Sequence, residues 1–160
     1  SITYLSHQID AGVNAVQIFD SWAGPLPDDQ FERWVVAPTK KITDALHKAH
    51  PDIPVIGFPR GAAANVTHYL AETGVDGLGC DTSMPLHVMS GNLGPRPIVR
   101  QGNLDPLLLM AGGPAMDARI REICETMRGL PFIFNLGHGI LQWTPPEHVA
   151  RLVEVVREAR

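Results

Sequence analysis

The chain has 160 residues, of which 44% are hydrophobic and 19% charged, and a formal net charge of −4. That length suits one domain with an ordinary core, falls short of the roughly 250 residues of a complete α/β barrel, and its mild acidity speaks against a nucleic-acid binder. No apolar run approaches the roughly 20 residues of a membrane helix, and SITYLSHQID at the start has no basic stretch leading into a hydrophobic one, so a cytoplasmic protein is expected.

Along the chain, short apolar runs alternate with helical periodicity about five times. After an opening segment that ends at Gly12, the first strand is expected over 15–19 (AVQIF), and it leaves into DSWAGPL. DDQFERW mixes both signs of charge and reads as a solvated helical face, and Ile42, Leu46 and Ala49 then fall on one face of a helix. A second strand over 54–58 (PVIGF) leaves into PRGA. Gly74 closes the next helix before a third strand over 76–80 (DGLGC), whose exit is DTSMP. The fourth strand, 97–101 (PIVRQ), leads into GNLDP. Ile120, Ile123, Cys124 and Met127 repeat at helical spacing in another mixed-charge segment, MDARIREI, and Gly129 ends that helix. The fifth strand, 132–135 (FIFN), breaks off into LGHG. TPPE then opens a helix carrying Val149, Leu152, Val153 and Val156, with Thr144 as the expected cap. None of the five strands alternates cleanly, which predicts burial on both faces. Strand, loop and helix in repetition predict an α/β fold of parallel strands joined by right-handed crossovers.

The strand exits carry the chemistry. Each holds a charged or chargeable group: Asp20, Arg60, Asp81, Asp105 and His138. In a parallel barrel such exits converge at the carboxyl-terminal face, where active sites of that architecture lie. The seven histidines are scattered with no HxxxH or HExxH pair, and Cys80 and Cys124 are the only cysteines, without CxxC spacing, so no metal site is expected. His47, His50 and His148 lie away from the exits and are expected in solvent. Ser21 in DSWAG lacks the flanking glycines of a nucleophile elbow, which leaves hydrogen bonding as its role, and neither GxGxxG nor GxxxxGK occurs. Cys80 ends a buried strand and is expected in the core. His138, between Gly137 and Gly139, is the best candidate for chemistry: its imidazole can bind a carboxylate, donate a proton or satisfy a carbonyl, and its flanking glycines let the backbone approach something closely.

Together VQIFDSWAG, GVDGLGCD, RQGNLDP and FNLGHGI, followed by PPEHV, closely resemble the carboxyl-terminal part of the uroporphyrinogen decarboxylase family, over essentially the whole chain and in order. The resemblance implies a cofactor-free carboxy-lyase of porphyrin and haem biosynthesis, usually a homodimer, on a TIM (β/α)8 barrel. Its reaction removes carbon dioxide from the four acetate arms of uroporphyrinogen III to give coproporphyrinogen III. By the same resemblance Ser21 and His138 contact substrate carboxylates and Phe19 walls the pocket. Arg60 joins them by its position at a strand exit, since a polycarboxylate ligand calls for donors and cations there.

The family's catalytic aspartate, arginines and tyrosine belong to its amino-terminal part, and no stretch here resembles their motifs. Residues 1–160 are therefore expected to form a single partial barrel domain of about five strands that holds no catalytic residue and has no decarboxylase activity alone. Two alternatives stay open. A corrinoid methyltransferase shares the superfamily's barrel but would call for zinc-binding thiols at the later exits, where His138 stands instead. A non-catalytic truncated barrel could serve as an interaction module.

Overall fold

The structure is a computed structural model that describes residues 1–159, the side chain of Ala63 apart. Five strands alternate with helices: β1 (Val16–Asp20), β2 (Val55–Pro59), β3 (Gly77–Gly79), β4 (Val99–Leu104) and β5 (Phe132–Leu136), in the hydrogen-bonded order β1-β2-β3-β4-β5. The helices are α1 (Ile2–Asp10), α2 (Asp28–Phe31), α3 (Ala37–Ala49), α4 (Val66–Thr73), α5 (Leu86–Met89), α6 (Pro106–Ala111), α7 (Gly113–Thr126) and α8 (Pro146–Glu158). The α/β reading of the sequence holds. The strand boundaries fall within one residue of expectation except at β4, which starts two residues later and runs three further, through Gly102, Asn103 and Leu104.

The chain divides into two compact units. The first comprises Ser1–Gly79 and Leu93–Val99, the second Cys80–Asn92 and the chain from Arg100 onward.

In the first unit, β1 and β2 pair in parallel from Val16 opposite Val55 to Asp20 opposite Pro59, and Ile56 of β2 stands opposite Gly77 of β3. Its core gathers Phe31, Val35, Val36, Leu46, Tyr69, Leu70 and Val75. Two expectations are corrected here. On α3 the buried stripe is Thr39, Thr43 and Leu46, while Ile42 is half-buried and Ala49 exposed. Thr43 can face inward because its hydroxyl has carbonyl acceptors at Thr39, Lys40 and Thr73, so a polar atom is buried with partners. DDQFERW is likewise not a solvated face throughout. Phe31 is buried edge-on to Tyr69 at 6.5 Å between ring centroids, and the π-helical turn Glu32–Val36 that follows puts Val35 and Val36 inward.

In the second unit, β4 and β5 pair in parallel from Arg100 opposite Phe132 to Leu104 opposite Leu136. Met116, Ile120 and Ile123 of α7 and Met127 just after it supply the core with Leu104, Leu109 and Val155, and Cys124 is half-buried. On α8 the single buried residue is Val155; Val149, Leu152 and Val156 are half-buried and Val153 is exposed. The expected cap at Thr144 is absent: Pro145 occupies the cap position, and the Thr144 hydroxyl is buried without a partner. A proline at the cap supplies the extended backbone that the turn needs, so no side chain has to.

Burial along the strands also differs from expectation. β2 and β3 are buried throughout and β4 nearly so, but β1 and β5 alternate or open toward solvent, with Phe19 67% and Ile133 44% exposed. Among the described residues β1 pairs with β2 alone and β5 with β4 alone, and a strand with one neighbour is covered less than a central one. Nor are His47 and His148 free in solvent. His47 Nε2 lies 2.9 Å from Asp76, and His148 Nδ1 lies 3.1 Å from the Leu109 and Met110 carbonyls at the end of α6. No helix among the described residues is long and apolar enough to cross a membrane.

Candidate functional site

In the first unit the exits of β1 and β2 are laced together by backbone. The Arg60 amide donates to the Asp20 carbonyl at 2.9 Å, and the Gly24 amide donates back to the Arg60 carbonyl at 2.9 Å. A Cβ on Gly24 would stand 2.7 Å from the Gly61 carbonyl oxygen, so the glycine of DSWAG permits this close approach. The lacing places three of the expected site residues on neighbouring loops. Phe19 is exposed and meets Phe58 edge-on at 5.8 Å; Ser21 and Arg60 are half-buried, and neither side chain has a hydrogen-bond partner among the described residues. Sequence reasoning passed over Trp22, whose indole is 77% exposed on the same loop.

In the second unit the β3 exit forms a braced turn. Asp81 accepts from the Ser83 amide at 2.7 Å and from the Ser83 hydroxyl, and the Met84 amide donates to the Asp81 carbonyl at 3.2 Å. Asn103, 3% exposed at the end of β4, reaches into this turn: its Nδ2 donates to the Asp81 carbonyl at 3.0 Å and to the Met84 carbonyl at 2.8 Å. Those two acceptors fix the orientation of the amide, because only the nitrogen can donate. The turn also presses on β5's exit. A Cβ on Gly137 would meet the Thr82 nitrogen at 2.5 Å and the Thr82 methyl at 2.7 Å, so the first glycine of LGHG has the close approach read from sequence. Gly139 has nothing within 4 Å. His138, between them, is exposed and has no partner among the described residues.

The charged groups at the five exits thus sort into two kinds. All three aspartates accept from a backbone amide two residues on: Asp20 from Trp22 at 3.1 Å, Asp81 from Ser83, and Asp105 from Leu107 at 2.8 Å, where it caps α6. Such bonds hold turns and helix starts. Arg60 and His138 make no such bond, and what remains available is cationic or donating. Cys80 is buried as expected, and burial with Asp81 nearby pushes its thiol up to about 12. Among the described residues no three His, Cys, Asp or Glu side chains are grouped to hold a metal ion.

The uroporphyrinogen decarboxylase family model matches residues 1–159. The chain belongs to the uroporphyrinogen decarboxylase family. It is 54% identical over 157 residues to a uroporphyrinogen decarboxylase of Rhodospirillum rubrum and 52% identical over 157 residues to one of Granulibacter bethesdensis, in each case over 98% of this chain. A uroporphyrinogen decarboxylase of Chelativorans is 46% identical over all 160 residues. The chain spans 45%, 46% and 46% of the length of these three relatives, a little under half. Uroporphyrinogen decarboxylases are TIM barrels, and the parallel βα units here are the local pattern of such a barrel.

Within this family match, the structure distributes the four expected site residues over the two units: Phe19, Ser21 and Arg60 on the first, His138 on the second. Asn103 and Thr82 were missed. The only sequence signal for Asn103 was its place in QGNLDP, at a strand end expected to close two residues earlier.

Proposed function

We propose that this chain forms the carboxylate-gripping part of a uroporphyrinogen decarboxylase, with Ser21, Arg60 and His138 holding acetate or propionate arms of the porphyrinogen and Phe19 lining the pocket. The observation that carries this reading is the sorting of the exit charges. The three aspartates are engaged with their own backbone, which leaves an arginine, a histidine and a serine hydroxyl to meet the ligand. A guanidinium, an imidazole ring N–H and a hydroxyl are donors matched to carboxylates, whose charge makes each such bond one of the stronger kind.

The reaction proposed for the whole enzyme breaks the bond between an acetate methylene and its carboxylate. Carbon dioxide leaves, its electron pair stays on the carbon, and a proton replaces it to leave a methyl group. That step requires a proton donor at the carbon and a negative group beside the positive charge that develops on the pyrrole. Asp20, Asp81 and Asp105 each hold a turn or a helix cap through one carboxylate oxygen, and in this reading the second task falls to a group of the whole enzyme beyond these exits, with this chain gripping substrate. No cofactor is invoked; the whole enzyme is cytoplasmic and dimeric in this reading.

The test is a graft. This chain replaces the matching 157 residues of the Rhodospirillum rubrum relative, and turnover of uroporphyrinogen is compared with that of the chain alone. The graft is expected to form coproporphyrinogen and the chain alone to form none. In the graft, Ser21→Ala and His138→Gln should each raise KM about ten-fold, the scale of one hydrogen bond to a charged group. Turnover by the chain alone, or unchanged KM in both variants, would refute the reading.

A further inference from the structure

The braced turn at the β3 exit has more support than a surface loop needs. Asn103 spans its first and last residues with two donated bonds, Asp81 ties Ser83 from within, and Gly137 packs against its second residue. Gly102 contributes from the other side: a Cβ there would collide with the Cys80 carbonyl oxygen, so β4 lies directly against the start of the turn. What all this holds in place is Thr82. Thr82 is exposed, is one residue from His138 across the Gly137 contact, and has no hydrogen-bond partner among the described residues.

Thr82 on its braced turn packs on Gly137, the chain neighbour of the exposed His138, so two donor-bearing residues stand on backbone that is fixed before any ligand arrives. Binding to such a pair loses little conformational freedom, because the turn is already fixed by buried bonds. Thr82 has the further property that its methyl packs on Gly137 while the residue as a whole stays open, so its rotamer is restricted by packing.

We propose that Thr82 is a second carboxylate-contacting residue beside His138, its hydroxyl donating to the same arm of the ligand, with Asn103 as the positioning residue that holds the turn. This rests on the reading of His138 as a carboxylate contact and adds a partner to it. Thr82 adds a second donor, and it sets the direction of the carboxylate that the His138 ring N–H also meets. Asn103 does not touch the ligand; its effect passes through the turn.

The experiment titrates the chain with uroporphyrin, the air-stable oxidised counterpart of the proposed substrate, and follows the porphyrin fluorescence. Thr82→Val keeps the shape and removes the hydroxyl, and Thr82→Ser restores it. The expected result is about ten-fold weaker binding for Thr82→Val, recovery with Thr82→Ser, and a Thr82→Val effect that shrinks in a His138→Gln background because the two residues share one carboxylate. Asn103→Leu should weaken binding in the wild-type background and add little to Thr82→Val. Weaker binding for His138→Gln with an unchanged affinity for Thr82→Val overturns this inference and leaves the carboxylate grip standing. Equal affinity for all variants, or no binding by any, overturns both.

Discussion

At the scale of single residues, the glycines around His138 separate a packing requirement from a loop composition. Gly137 has the Thr82 nitrogen at 2.5 Å and the Asp81 carbonyl carbon at 3.0 Å from where a Cβ would sit, and both neighbours are backbone that cannot swing aside. Gly139 has open space and lies outside the positive-φ glycines. Gly137→Ala is therefore expected to lower unfolding free energy by about 2–3 kcal/mol in urea titrations, and Gly139→Ala to leave it within about 0.5 kcal/mol. Equal effects at the two positions would contradict the close approach. Cys80 makes a second prediction at this scale. Its thiol is pushed from an ordinary value near 9 to about 12, chiefly by burial, so the folded chain keeps this proton while the unfolded chain loses it between those values. The contribution of Cys80 is thus fully present below pH 9 and declines as pH rises toward 12. Urea unfolding midpoints should fall across that range, and less steeply in Cys80→Ala. At pH 8 a thiol reagent should label the half-buried Cys124 and spare Cys80 until the protein unfolds.

At the scale of elements, helix starts show how much of the chain was legible. Asp105 lies before Pro106, and its carboxylate caps α6 through the Leu107 amide at 2.8 Å; Asp105→Ala should cost about 1 kcal/mol, read from the urea midpoint. Thr144 before Pro145 and Pro146 looks similar in sequence, yet its hydroxyl is buried without a partner. Thr144→Val should then be neutral or raise stability by about 1 kcal/mol, and a clear loss would mean that the hydroxyl is bonded after all. The difference is not local, because Pro145 takes the cap position only through how the chain arrives at α8. The same division runs through the rest of the fold. The five strands and the alternation with helices were readable because apolar runs and helical periodicity are local signals. The inward threonines of α3 were not, since Thr43 is buried by virtue of a carbonyl at Thr73, thirty residues away. The site divides the same way: DSWAG and LGHG could be read, whereas the Asn103 bridge to Asp81 and Met84 spans 22 and 19 residues and leaves no mark in composition.

At the scale of the whole molecule, the strands at the two ends of the hydrogen-bonded order decide behaviour in solution. β1 pairs on one side with β2 and β5 on one side with β4, and each has exposed apolar residues near it: Phe19 and Trp22 at 67% and 77%, Ile133, Ile140 and Trp143 at 44%, 54% and 78%. Open strand edges carry unpaired backbone donors and acceptors, and natural sheets usually protect them with charge, proline or cover. β5, FIFNL, has none of these within it. The 160-residue chain should therefore self-associate through β5, with a sedimentation coefficient that rises with protein concentration. Ile133→Lys places a charge on that strand at a residue already partly in water, so it should reduce association while leaving the far-ultraviolet circular dichroism unchanged. The concentration dependence is the decisive part, because a compact monomer would sediment at one rate throughout. A chain that stays monomeric from micromolar to millimolar, or an Ile133→Lys variant that associates as strongly as the original, would show that β5 is protected by its neighbours and that its exposed side chains do not drive contact.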